Sequence, residues 1–271
     1  MTLQKKKRIA MIHKELRLLE KKEARLKKAA LERKSARWKQ LMEEKLPDKV
    51  YTGLESAFCK AFSLVFRKGR ALLEKGVRKE TILTDHRVSH YVVQQKGSRR
   101  ELRRMGKNAG RSNLNNLAIT TVEGIGLGAL GIGLPDIVLF IGTLLKGVYE
   151  TALHYGYAYD TRAEQMLILK MLAASLSGAE DWEQRNEAVD RLLARGAVPA
   201  TDEVFEAQIQ KTASAFALDM LVLKFIQGLP VIGVLGGAAN PVYYRKIMRY
   251  VQLKYRKRYL WQLLKREQQG K

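Results

Sequence analysis

Ile9, Ile12, Leu16 and Leu19 recur at three- and four-residue intervals, with Leu26 and Ala30 continuing the stripe more weakly, and this spacing predicts a helix over roughly residues 5–45. Glu23 and Arg33 fall on the same seam, so the apolar stripe is narrow and interrupted, unlike the sustained heptads of a coiled coil. A basic helical arm lying on a partner or a headgroup layer fits that pattern. So does a solvated helix laced with charge pairs one turn apart. Leu46-Pro47-Asp48 breaks the helix, and Pro47 suits the first turn of the next one, which divides the chain into an arm, residues 1–46, and a helical domain, residues 47–271.

Within that domain Leu54, Phe58, Phe62 and Val65 or Phe66 repeat at helical spacing, as expected of a helix facing a core. Residues 94–108 are polar and basic, either a loop or an exposed helix. An amphipathic region follows at 163–176, then a polar turn at 177–181, a short helix to Ala194 and a linker at 196–202, after which Thr201-Asp202-Glu203 reads as a helix start. Few runs alternate with period two. The predicted class is therefore all-α, a helical bundle carrying a basic amino-terminal arm.

Two segments depart from ordinary amphipathic helix. Residues 120–161 hold Gly124, Gly126, Gly128, Gly131 and Gly133 in a stretch almost without charge, and Pro135-Asp136 interrupts it before a second apolar run. Residues 217–250 echo it, Gly228-Leu229-Pro230 repeating Gly133-Leu134-Pro135, with Gly233 beyond. Glycine costs helix stability, so such density implies a bend or a close backbone approach. Length alone would let residues 124–145 cross a bilayer, but Pro135 and Asp136 near the middle favour a broken or hairpin-like segment, buried in protein or dipping into lipid. Asp219 and Lys224 argue against an ordinary span in the second segment.

Charge changes the picture most. Fifty Lys and Arg against 27 Asp and Glu give a net charge of +23, which draws the molecule to polyanions, either anionic lipid or nucleic acid. One cysteine, Cys59, excludes an internal disulfide and a multi-cysteine zinc site, and suits a reducing cytosol. The amino-terminal segment has no apolar stretch long enough for a secretory signal and carries Glu15, Glu20 and Glu23, unlike a transit peptide. A protein that is not exported is expected.

Candidate chemistry is sparse. His86 and His90, beside Asp85, share one helical face, but without a third ligand or the glutamate of a metalloprotease helix; no metal is predicted, and a histidine pair satisfied by protein is the other reading. Lys146, Glu150 and His154 repeat at four-residue intervals, with Asp136 nearby in sequence. Asp136, Glu150 and His154 form either an acid–base cluster or part of a structural ion-pair ladder. Gly126 to Gly131 matches a dinucleotide-binding glycine pattern but lacks the flanking strand and acidic partner, so no cofactor is expected.

The carboxyl-terminal stretch 243–267 interleaves bases with aromatics. Arg245, Lys246, Arg249, Tyr250, Lys254, Tyr255, Arg256, Lys257, Arg258 and Trp261 suit a headgroup layer. The same composition fits phosphate contacts and stacking on nucleic acid, or a helix whose aromatics pack inward.

Two pieces, VEGIGLGALGIGLPDIVLFIGTLLKGVYETALHYGYAYDT and GLPVIGVLGGAANPVYYRKIMRY, in that order and at this separation, resemble the EcsC family from about Pro47 onward. The resemblance implies a bacterial protein linked to an ABC transporter, secretion and membrane physiology, with no catalytic motif to carry over. The expected function is thus an accessory or binding protein, cytoplasmic and peripheral at the inner face of the cell membrane, with an anionic surface and an ABC transporter or another membrane protein as partners. The alternatives are a lipid-directed hydrolase using Asp136, Glu150 and His154, and a nucleic-acid binder.

Overall fold

A computed structural model describes residues 3–33, 48–67, 77–97, 99–110, 134–196, 198–226 and 239–269. Among them are nine helices and no strand: α1 (Leu3–Arg33), α2 (Asp48–Arg67), α3 (Lys79–Lys96), α4 (99–110), α5 (Leu134–His154), α6 (Arg162–Leu176), α7 (Ala179–Arg195), α8 (Asp202–Ile226) and α9 (Ala239–Gln269). The all-α class is as expected. The bends at Gly126, Gly128, Gly131, Gly133, Gly228, Pro230 and Gly233 lie outside the described residues, and Pro135 sits in the first turn of α5, where a missing amide proton costs no helical bond.

Helix ends follow local chemistry. Thr161 caps α6 by accepting the amide proton of Glu164, and Thr201 does the same for Val204 at the start of α8, as Thr201-Asp202-Glu203 predicted. The acidic first turn of α8, Asp202 and Glu203, faces the positive end of its dipole. Gly97 ends α3 at φ 55°, its N–H donating to the Val93 carbonyl, and a Cβ there would press on the Arg8 side chain of α1.

Two helices form the centre. In α6, Leu167, Ile168, Leu169, Met171, Leu172 and Ala174 are buried all around the helix, so it packs on α7, α8 and α9 rather than presenting one face. The 31-residue α9 runs past α1, α5, α6 and α7. On the far side α2 packs against α8 and α5, where Phe58 and Phe62 meet Phe216 with ring centroids 5.3 and 5.2 Å apart, each ring contributing roughly 1.5–3 kcal/mol by burial.

One described helix is long and apolar enough to cross a membrane, the Ile137–His154 stretch of α5, and 72% of it is buried within the protein. Glu150 and His154 lie in its last turns, both buried among core residues such as Val148, Ala152 and Leu153. A polar pair of that kind is tolerated because protein surrounds it.

Candidate functional site

Helix α1 sorts its residues by charge. Met11, Ile12, Leu16 and Leu19 are buried against the body, as the three-four spacing predicted, and Glu15 and Glu23 are buried with them. Lys7, Lys14, Arg17, Lys21, Arg25 and Lys28 form a stripe of the same periodicity on the opposite side, flanked by Lys6 and Lys22, and all eight are exposed. Glu20 is the one exposed acid between them. Among the described residues Lys14, Arg17, Lys21, Lys22 and Arg25 have no ion-pair partner. The heptad recurrence of lysine at 7, 14, 21 and 28 is the signal in the sequence that marks this face.

Helix α4 extends it. Arg99 Nε lies 2.6 Å from Glu15, and Arg103 Nε 3.7 Å from the same carboxylate, so α4 lies beside the first half of α1. Arg100, Arg104 and Lys107 stand exposed on α4. The polar stretch at 94–108, read as loop or exposed helix, is thus largely helix, with Arg100, Arg103, Arg104 and Lys107 exposed.

The inward acids explain why so many cations face out. Helices α1 and α9 run antiparallel: Arg8 Nε meets Glu267 at 2.9 Å, Glu15 accepts from Arg256 Nη2 at 2.7 Å, and Glu23 meets Lys254 and Lys257. Asp190 of α7 closes the last group, taking Lys254 at 2.6 Å and Lys257 at 2.8 Å, so two carboxylates and two ammonium groups alternate in a ring. Burial by itself pushes the Glu23 carboxyl up, but the charges and hydrogen bonds of Lys254 and Lys257 outweigh it and hold the group below the usual carboxylate range. Burial lowers Lys254 despite Glu23 and Asp190, whereas Lys257, less enclosed, is raised by its bonds to the same acids.

Internal contacts also engage most of the carboxyl-terminal side chains expected at a headgroup layer. Of these ten side chains, only Arg245 and Arg249 are exposed. Lys246 holds Asp219 at 2.7 Å, the Tyr250 hydroxyl donates to Asn186, and Lys254 has no exposed side-chain surface. Tyr255 donates to Glu164 at 2.7 Å, Arg258 bonds both oxygens of that carboxylate, and Lys257 stands 5.0 Å over the Trp261 ring. The physical reason is supply: α1, α6 and α8 bring buried acids to α9, α7 brings the half-buried Asp190, and the bases of α9 go to them.

Glu150 and His154 are buried one turn apart on α5, and the Asp136 side chain lies outside the described residues. His154 instead belongs to a histidine group: His86 donates from Nδ1 to the His154 carbonyl at 3.0 Å, and the His86 and His90 rings stack at 5.6 Å and 16°. Arg266 donates to His90 Nε2 at 3.4 Å, which leaves His90 Nδ1 as donor to the Tyr259 hydroxyl at 2.8 Å. Burial lowers all three imidazoles. Among the described residues no three His, Cys, Asp or Glu side chains are grouped to hold a metal ion.

No curated protein and no solved structure matches the chain. The model of the EcsC protein family matches residues 10–260, a span that takes in most of α1 and the first two thirds of α9, and the chain belongs to that family.

Proposed function

We propose that this EcsC-family protein binds an anionic membrane surface through the basic face of α1 and α4, as a peripheral accessory protein at the cytoplasmic side of the cell membrane. The observation that carries the proposal is the sorting of charge on α1: Glu15 and Glu23 face inward, while six bases line one outward stripe flanked by two more, with Glu20 the single exposed acid among them. A straight helix with its cations in line lays them on a plane together, which a flat, negatively charged leaflet can meet simultaneously. Each Lys or Arg held near such a surface contributes about 1 kcal/mol, and the effect fades over roughly 8–10 Å at physiological salt. The apolar side of α1 is occupied by α9, so attachment is electrostatic rather than by insertion of this helix.

The test is co-sedimentation with vesicles of phosphatidylcholine alone and with added phosphatidylglycerol. Binding is expected only to the anionic vesicles and to be released by salt. Replacing Lys14, Arg17, Lys21, Lys22 and Arg25 by Gln weakens it by about a hundredfold or more if each charge contributes on the order of 1 kcal/mol. Duplex DNA offered at equal charge separates lipid from nucleic acid: preference for DNA, or unchanged vesicle binding by the Gln variant, overturns the proposal.

A further inference from the structure

Where the end of α1 meets the start of α9, a cavity of about 230 Å³ opens beside the turn between α6 and α7. Leu26, Ala30, Trp182 and Val242 line it with apolar surface, Trp182 being buried and Val242 46% exposed at the mouth. Among the described residues that line it, the cations are Arg245, Lys246 and Arg249 and the one acid is Asp219. Lys246 grips both oxygens of Asp219, at 2.7 and 2.8 Å, and the two cancel. Arg245 and Arg249 remain, one turn apart on α9, exposed and with no carboxylate partner among the described residues. Tyr250 points its hydroxyl to Asn186, and Ser177 donates to the Ala174 carbonyl, so these polar groups are already occupied.

The arrangement is amphipathic in one place: a hydrocarbon-lined floor under two unneutralised guanidinium groups. At ~30 Å³ per water-sized group the cavity holds about eight such groups, a short length of alkyl chain rather than a whole lipid. Guanidinium pairs well with a phosphate or carboxylate because its N–H fork matches their oxygens. We propose that this cleft binds one anionic single-chain amphiphile, its chain on Leu26, Ala30, Trp182 and Val242 and its head between Arg245 and Arg249. The site is separate from the basic stripe of α1, so each can fail without the other.

The chain carries three tryptophans, and replacing Trp38 and Trp261 by Phe in the full-length protein leaves Trp182 as the reporter at the cavity. Chain-brominated decanoate, decyl phosphate and neutral decyl maltoside are titrated below their micelle concentrations. Both anions are expected to quench Trp182 saturably at one per chain, with the maltoside about tenfold weaker or more, since it forgoes charge-assisted bonds. Tighter binding of the phosphate assigns the source to a single-chain phosphate lipid such as a lysophospholipid and tighter binding of the carboxylate to a free fatty acid, and either supports the site. In this background Ala30→Phe fills the floor and removes quenching, and R245A/R249A, at exposed positions that leave the core intact, removes the preference for anions. Equal quenching by the neutral amphiphile, quenching indifferent to both variants, or none by either anion overturns the proposal. The five-fold Gln variant of α1 is expected to lose vesicles and keep the quench.

Discussion

Lys254, in the middle of α9 and without exposed side-chain surface, reaches Glu23 of α1 across 231 positions of sequence. That bond and the one to Asp190 fasten the basic helix to the body from both sides of the ammonium group. Removing one member of a buried ion group leaves an uncompensated charge, at about 3–5 kcal/mol. Lys254→Met is therefore expected to destabilise the protein by that order, since Glu23 and Asp190 then share Lys257 alone. Combining it with Glu23→Leu leaves Asp190 and Lys257 as a matched pair and recovers most of the loss. Urea unfolding of the two single variants and the double gives the coupling directly; simple additivity would show that the ring does not act as a unit.

The same ring sets an acid limit. Glu23 titrates below its ordinary value of 4.5, so the folded state binds its proton less readily than the unfolded chain. Its contribution is complete above that value and is lost as pH falls through the depressed one. Thermal unfolding between pH 5 and 3 is expected to show a decline that Glu23→Gln, already lacking the charge, flattens.

A second window lies higher. His86, His90 and His154 are all lowered by burial, so below 6.5 the unfolded chain takes protons that the folded one refuses. Stability is full above that pH and falls as pH drops through it. Asp85 partly offsets the effect at His154, while Arg266 adds to it at His90. Melting temperature is expected to drop between pH 7.5 and 5.5, and His90→Gln, which keeps a donor toward Tyr259, is expected to reduce the slope. A flat profile over that range would show that the three rings are open to protons in the fold.

Gly156 is bound to the same cluster. Its φ of 78° is strained for any residue with a side chain, and a Cβ there would lie 2.3 Å from His86 Nε2. Gly156→Ala must push the His86 ring away from the His154 carbonyl as well as pay about 1 kcal/mol for its backbone. The expected loss is on the order of 2 kcal/mol by denaturant unfolding. His86→Ala in the same background removes the collision, so the double variant is expected to lose less than the sum of the two.

Residues near in sequence were legible and residues brought together from afar were not. The three-four spacing of Ile12, Leu16 and Leu19 identified the buried side of α1, because a helix fixes that geometry by itself. Glu23 on the same seam reads as an interruption until Lys254, Lys257 and Asp190 arrive from two other helices. The carboxyl-terminal helix misleads for the same reason: composition shows bases among aromatics but not which acids they face. Tyr243, Tyr250, Tyr255 and Tyr259 pack inward, and most of the bases between them follow. His86 and His90 were placed on one face by their spacing, while His154 and Tyr259, the groups that satisfy them, come from other helices.

The outer stripe of α1 separates binding from folding, because Lys14, Arg17, Lys21 and Arg25 are exposed and make no ion pair among the described residues. Surface substitutions of this kind change stability by about 0.5 kcal/mol or less, whereas each lost charge weakens attraction to an anionic leaflet by about 1 kcal/mol. Lys14→Gln, Lys21→Gln and their combination are expected to melt within a few degrees of the parent chain and to lose vesicle affinity in two nearly equal steps. Lys27, which pairs with Glu183 of α7, serves as a control: Lys27→Gln breaks a half-exposed ion pair but removes no member of the stripe. Its vesicle affinity is expected to fall less than that of either stripe variant. An equal fall would mean that total charge, rather than the ordered line on α1, governs the attraction.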